Sequence, residues 1–172
     1  RVVEIAPAHL RELSAAVRMT TVLSLWGARG PVVALVQEDM SRALVVTVHP
    51  GTQLDTSAAQ MVVQLAYHAD SHAIDRIAEG LSTAASSELA AAVYAARRTG
   101  YTIVDHSDGL VAVAAPVFDE QGIAATVALL GAESAASFSP GSPKLTYLLD
   151  TATALSNELG GGHEGPRIEE IQ

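Results

Sequence analysis

Six histidines are the first residues in this chain that could hold a metal or move a proton. His68 and His72 stand four apart, with Asp70 between them and Asp75 beyond. On one continuous helix the two would share a face, as zinc-binding pairs do. Asp70-Ser71, however, reads as a helix start. The pair is therefore expected to straddle a helix break in a solvated linker, and the Glu of an HExxH motif is missing. His106 has Asp105, Ser107 and Asp108 beside it, which are the letters of a hydrolytic triad, but side chains adjacent in sequence rarely face one another. Asp119 and Glu120 fall in an expected hairpin turn and read as solvated turn residues. GARG at 27–30 is too short for a phosphate loop, and no GxSxG elbow occurs. There is no cysteine for thiol chemistry or disulfides. The expectation is no catalytic residue, no metal and no cofactor.

A binding site is easier to build. A helix starting near Thr56 or Ser57 would present free backbone N–H groups at its N-terminus, where an anion such as a carboxylate is favoured. If that end faces a sheet formed by 43–48 and 110–130, a small organic acid fits between them. The alternative is an ordinary capped helix on a fully packed sheet.

The elements that must position such a site follow from turn letters and periodicity. From Gly100 to Gly131 the chain reads GYTIVDHSDGLVAVAAPVFDEQGIAATVALLG. Three runs rich in Val, Ile and Ala are separated by Ser107-Asp108-Gly109 and by Asp119-Glu120-Gln121-Gly122. Such runs read as strands, the last two as a β-hairpin. Their weak alternation implies that both faces are covered. Upstream, residues 6–18 read as a helix with Leu10, Leu13 and Val17 on one stripe and Pro7 in its first turn. Strands are expected within 19–26, at 31–38 and at 43–48, the first two as a hairpin through Gly27 to Gly30. Three helices follow: one from Thr56 or Ser57 to Leu65 or Tyr67, one after Asp70-Ser71, and one opened by Ser86-Ser87-Glu88 and ended by Gly100. A last helix carries Leu145, Leu148, Leu149, Ala152, Leu155 and Leu159. Grouped strands and grouped helices predict an α+β domain with a mainly antiparallel, six-stranded sheet flanked by helices.

Length and charge narrow the function. The chain has 172 residues, 49% of them hydrophobic and only 4% aromatic, so one domain with an Ala, Val and Leu core is expected. Ten basic residues stand against nineteen acidic ones, a net charge of −9. Phosphate backbones are held mainly by Lys and Arg, so this piece is not expected to bind nucleic acid itself. No run approaches the roughly twenty apolar residues of a membrane helix, and no signal peptide is visible. The expected location is the cytoplasm. Arg1 rather than Met opens the chain, and a piece or processed product of a longer protein is expected.

Gly100-Tyr101, Asp105, Gly109, Ala114-Ala115-Pro116-Val117-Phe118-Asp119, Gly122 and Gly131 together resemble the effector-binding domain of the IclR family of bacterial transcriptional regulators. The likeness extends to the hairpin at 20–38, to Gly51-x-x-Leu54 leading into a helix with Ala58, and to the closing helix at 143–159. It implies a GAF-like domain over residues 1–160, followed by a flexible acidic tail at 161–172. It also implies an N-terminal winged helix-turn-helix that binds DNA and is absent here, and assembly into dimers or tetramers. The implied ligand is a small organic or aromatic acid. Carried over position by position, the implied pocket residues are Val46, Leu54, Gln60, Met61, Asp105, Leu110, Ala112, Ala128 and Leu130, with Val104 competing for the place of Asp105.

The chain departs from the family pattern at Asp55-Thr56-Ser57-Ala58-Ala59-Gln60-Met61-Val62. Gln60 and Met61 replace small residues, and Ala128 and Leu130 stand where polar residues are common. A drier pocket, or one partly filled by Met61, is expected, favouring an aromatic or largely apolar effector over a two- or three-carbon acid. Two other readings stay open: a hydrolase-like enzyme using His106 with Asp105 or Asp108, and a dimerisation module with a closed cavity.

Overall fold

A computed structural model of the chain describes residues 1–106 and 108–161. Ser107, and the expected tail beyond Gly161, lie outside the described residues. Strands β1 (Thr20–Gly27), β2 (Gly30–Gln37), β3 (Thr102–Asp105), β4 (Val111–Asp119) and β5 (Gly122–Gly131) form one antiparallel sheet. Their order across the sheet is β2-β1-β5-β4-β3.

Side-chain alternation divides the sheet into two covered faces. Val111, Val113, Ala115 and Val117 of β4, with Ala125, Val127 and Leu129 of β5, point to one side. Against them pack Leu10 and Leu13 of α1 (Val2–Val17) and Leu148 and Leu155 of α5 (Pro143–Glu158). Each such buried leucine contributes about 2 kcal/mol of apolar transfer. Ala114 and Ala128 point to the other side, against Ala59 and Val63 of α2 (Ala59–Tyr67). The small residues on that face let α2 lie close to the sheet. Behind α2, its outer residues Val62, Leu65 and Ala66 meet Leu89, Val93 and Ala96 of α4 (Thr83–Thr99). The short α3 (Ala73–Ala78) joins α2 to α4. Among the described residues, no helix is long and apolar enough to cross a membrane.

The α+β architecture is as the sequence predicts, but the sheet has five strands, not six. The β-rich run 43–48 forms no strand. Its place beside β2 is taken by the residues that follow it. Val33 N donates to Thr52 O (2.9 Å), Gly51 N to Val33 O (2.7 Å) and Leu54 N to Pro31 O (2.9 Å). With that edge occupied, 43–48 joins no ladder, and the Thr20 hydroxyl donates to Val46 O.

Two helix starts also differ. α1 begins at Val2, which puts Pro7 inside it rather than in the first turn. α4 begins at Thr83, because Ser82 Oγ accepts the Ala85 amide (3.1 Å) and caps the helix before Ser86 is reached. Its other end is as expected: Gly100 takes a left-handed φ of 85° and returns its amide to Ala96 O.

Candidate functional site

A cavity of about 320 Å³ lies between the N-terminus of α2 and the sheet face that α2 covers. This is the lower end of the range for small-molecule sites, room for a single-ring ligand. Its floor is apolar. Ala112 of β4, Ala128 and Leu130 of β5 and Val22 of β1 lie side by side, because Ala112 pairs with Leu130 and Val22 with Ala128 in the ladder.

The opposite wall is the start of α2 with the segment leading to it. The N-cap residue, Ala58, has no side chain that can accept a hydrogen bond, so the first-turn amides of Ala59 and Gln60 begin the helix uncapped. Ala58, Ala59 and Gln60 all line the cavity. An uncapped helix start on a cavity wall is a ready partner for a carboxylate. Thr56 and Ser57 are not the caps the sequence suggests. Instead Asp55 Oδ1 accepts from Ser57 N (2.9 Å) and Ser57 Oγ (2.5 Å), closing a local turn. These two hydrogen bonds hold the Asp55 carboxyl below the ordinary aspartate range; burial opposes them and the nearby His106 adds to them.

Val48, Thr52, Gln53 and Leu54 complete the rim. A network at the far side of the 38–49 segment fixes it to the body. Glu133 Oε1 accepts from Arg42 Nη2 (2.8 Å) and also from Lys144 Nζ.

Gln60 is 5% exposed and reaches under the helix to the sheet. Its Nε2 lies 3.4 Å from Val22 O, 3.3 Å from Thr126 O and 3.1 Å from Thr126 Oγ1. Further along the same buried seam, Ser24 Oγ and Gln64 Oε1 have no hydrogen-bond partner among the described residues.

Of the residues the sequence pointed to, Leu54, Gln60, Ala112, Ala128 and Leu130 line this cavity, and Val46, Met61, Asp105 and Leu110 do not. The reasons are geometric. Asp105 pairs with Val111 and so shares the α1/α5 side of the sheet, at an exposed strand end. Its competitor Val104 pairs with Ala112 and packs on the α2 face, outside the cavity lining. Leu110 precedes β4 and uses its carbonyl to accept the His106 amide (2.8 Å). Val46 meets Thr20 through its carbonyl alone among hydrogen-bonding groups.

Met61 does not fill the pocket. It turns away from the sheet into the α4 layer and under the first hairpin. A Cβ on Gly30 would stand 2.5 Å from Met61 Cε, a flexible end that can shift, so it is the φ of 121° that calls for glycine at the turn.

Val22, Val48, Asp55 and His106 line the cavity without having been singled out for it. Val22 becomes visible once β1 is known to sit beside β5. His106 follows from the alternation that sends Asp105 the other way.

The enzyme letters do not assemble. Asp108 Oδ1 accepts the Leu110 amide (3.2 Å) and closes a turn. His68 and His72 cap different helices, as their spacing across Asp70-Ser71 predicts. The His68 ring lies 4.6 Å from the Trp26 ring, and its Nδ1 accepts the Asp70 amide (3.0 Å). Among the described residues, no three His, Asp or Glu side chains converge as a metal site.

No family model matches the sequence, and no curated protein matches it. Solved structures do. HmgR of Pseudomonas aeruginosa superposes with a TM-score of 0.79 at 27% identity, over 93% of this chain and 67% of that one. The IclR transcriptional regulator from Alicyclobacillus acidocaldarius gives 0.76 at 22%, over 92% and 68%. An IclR homolog from Microbacterium hydrocarbonoxydans, complexed with 4-hydroxybenzoate, gives 0.78 at 16%, again over 92% and 68%. At these last two identities the likeness speaks to the fold.

Proposed function

We propose, from structural neighbours that are IclR-family transcriptional regulators and share the fold of their effector-binding domain, that this chain is the small-molecule-sensing part of such a regulator. The chain spans about two thirds of the length of those neighbours. One observation carries the reading: the cavity joins an uncapped helix start, suited to an anion, to a floor of Val22, Ala112, Ala128 and Leu130, suited to an apolar body. The ligand class that meets both walls is an organic acid with an aromatic or largely apolar body.

In this reading the carboxylate sits at the Ala59 and Gln60 amides and the ring lies on the alanines of the sheet. A two-carbon acid would leave the floor uncovered and gain little from it. The neighbour crystallised with 4-hydroxybenzoate supports the size and class without naming the effector of this chain. Binding shifts the population of subunit arrangements in a homodimer or tetramer, and an N-terminal DNA-binding domain reads out the shift.

The test is a thermal-shift and calorimetric titration of the chain with benzoate-sized acids and with pyruvate-sized acids. Binding of the aromatic acids supports the proposal. Tight binding of the small acids alone, or of neither class, contradicts it.

A further inference from the structure

We infer that Gln60 makes the cavity selective for ligands that carry a hydrogen-bond donor in addition to their acid group. The inference rests on the proposed sensing role and specifies which acids the site accepts.

The argument starts from the orientation of the Gln60 amide. Two of the atoms around Nε2, Val22 O and Thr126 O, are backbone carbonyls at 3.4 and 3.3 Å. Carbonyl oxygens only accept, so the group facing them must donate. Turning the amide over would set Oε1 against both carbonyls and lose both of those bonds, keeping at most one from the Thr126 hydroxyl. Chemistry therefore fixes the nitrogen toward the sheet.

The oxygen is left over. Gln60 Oε1 accepts no hydrogen bond from any described residue, although the residue is 95% buried by its exposure of 5%. Nor is it sealed in the interior, as Ser24 Oγ and Gln64 Oε1 are. Gln60 lines the cavity, and we place its oxygen on that lining.

An amide oxygen has no protonation state within reach and no tautomer that donates. A ligand that covers it with a hydroxyl or N–H gains a hydrogen bond. A ligand that covers it with a bare C–H, an ether or a halogen strips its water and returns nothing. The floor offers no relief, because Val22, Ala112, Ala128 and Leu130 contribute only apolar side chains. The chemical class selected is a hydroxy- or amino-substituted aromatic acid.

The experiment is isothermal calorimetry on the chain with benzoate, 3- and 4-hydroxybenzoate, and the two matching methoxybenzoates. The expected result is that one hydroxy isomer binds about five- to tenfold tighter than benzoate, with its methoxy counterpart no tighter than benzoate. In Gln60→Met that ratio falls to about one to two. Equal binding of benzoate and both hydroxybenzoates, or a hydroxy preference that survives in Gln60→Met, overturns the inference and leaves the sensing role standing. Binding of none of these acids overturns both. If Gln60→Met does not fold, Gln60→Leu takes its place in the comparison.

Discussion

Gln60 Nε2 donates to Thr126 Oγ1 over 3.1 Å, and this bond ties the first turn of α2 to the middle of β5. Both residues are buried, at 5% and 0% exposure, so the bond forms away from water. Thr126→Val keeps the shape and removes the acceptor. It is expected to lower stability by about 1 kcal/mol, because Nε2 retains the two carbonyls. The urea midpoint should fall with no change in slope, and a loss above about 3 kcal/mol would mean that the carbonyl contacts are not made.

Met61 packs in the α4 layer and not in the cavity. Met61→Ala should therefore destabilise the chain by about 2–4 kcal/mol, as a large-to-small change in a core does. Affinity of the folded fraction for an aromatic acid should stay within about twofold. Calorimetry well below the melting temperature separates the two effects.

Ala112 is half-buried and lies on the cavity floor. Ala112→Leu adds three carbons into open space instead of into packed side chains. Stability is expected to change by less than about 1 kcal/mol, because no tight contact is displaced. Binding of benzoate-sized acids should weaken at least tenfold. Unchanged affinity in a folded Ala112→Leu protein would place the ligand elsewhere.

Glu133 anchors the 38–49 segment through Arg42 and Lys144. Burial pushes its carboxyl up, but the hydrogen bonds and charges of Lys144 and Arg42 outweigh burial and hold it below the ordinary value of 4.5. In the unfolded chain the carboxyl protonates first on acidification. The stabilisation is thus fully present above the ordinary value and is lost as pH falls through the lowered one. Comparing urea midpoints of the unaltered chain and Glu133→Gln across pH tests this. The advantage of the unaltered chain should be level near neutrality and shrink below about pH 4.5. An advantage that grows on acidification would mean the pairing is not made.

Local letters made much of this fold readable. Gly100-Tyr101 through Gly131 carries its own turns, so β3, β4 and β5 could be placed without knowing their partners. The run 43–48 misled because β-branched residues describe what a strand prefers, not whether an edge is free. Here Gly51 to Leu54 reach that edge instead, and nothing local announces it. At the site, Ala112, Ala128 and Leu130 were legible because they alternate with core residues on known strands. Asp105 and Met61 were misplaced by one step of alternation and by helix rotation, which sequence position alone does not set. Asp55 was hidden for another reason: its carboxylate serves a turn with Ser57, a role visible only once distances are known.

The central claim is that an aromatic acid binds between the start of α2 and the alanine floor. An amide proton–nitrogen NMR titration of the chain with 4-hydroxybenzoate tests it most directly. The prediction is saturable shifts at Ala59 and Gln60, where the carboxylate docks, and at Ala112, Ala128 and Leu130 under the ring, with the outer face of α5 unmoved. Shifts clustered away from these five residues, or none at ligand concentrations in the millimolar range, would contradict it.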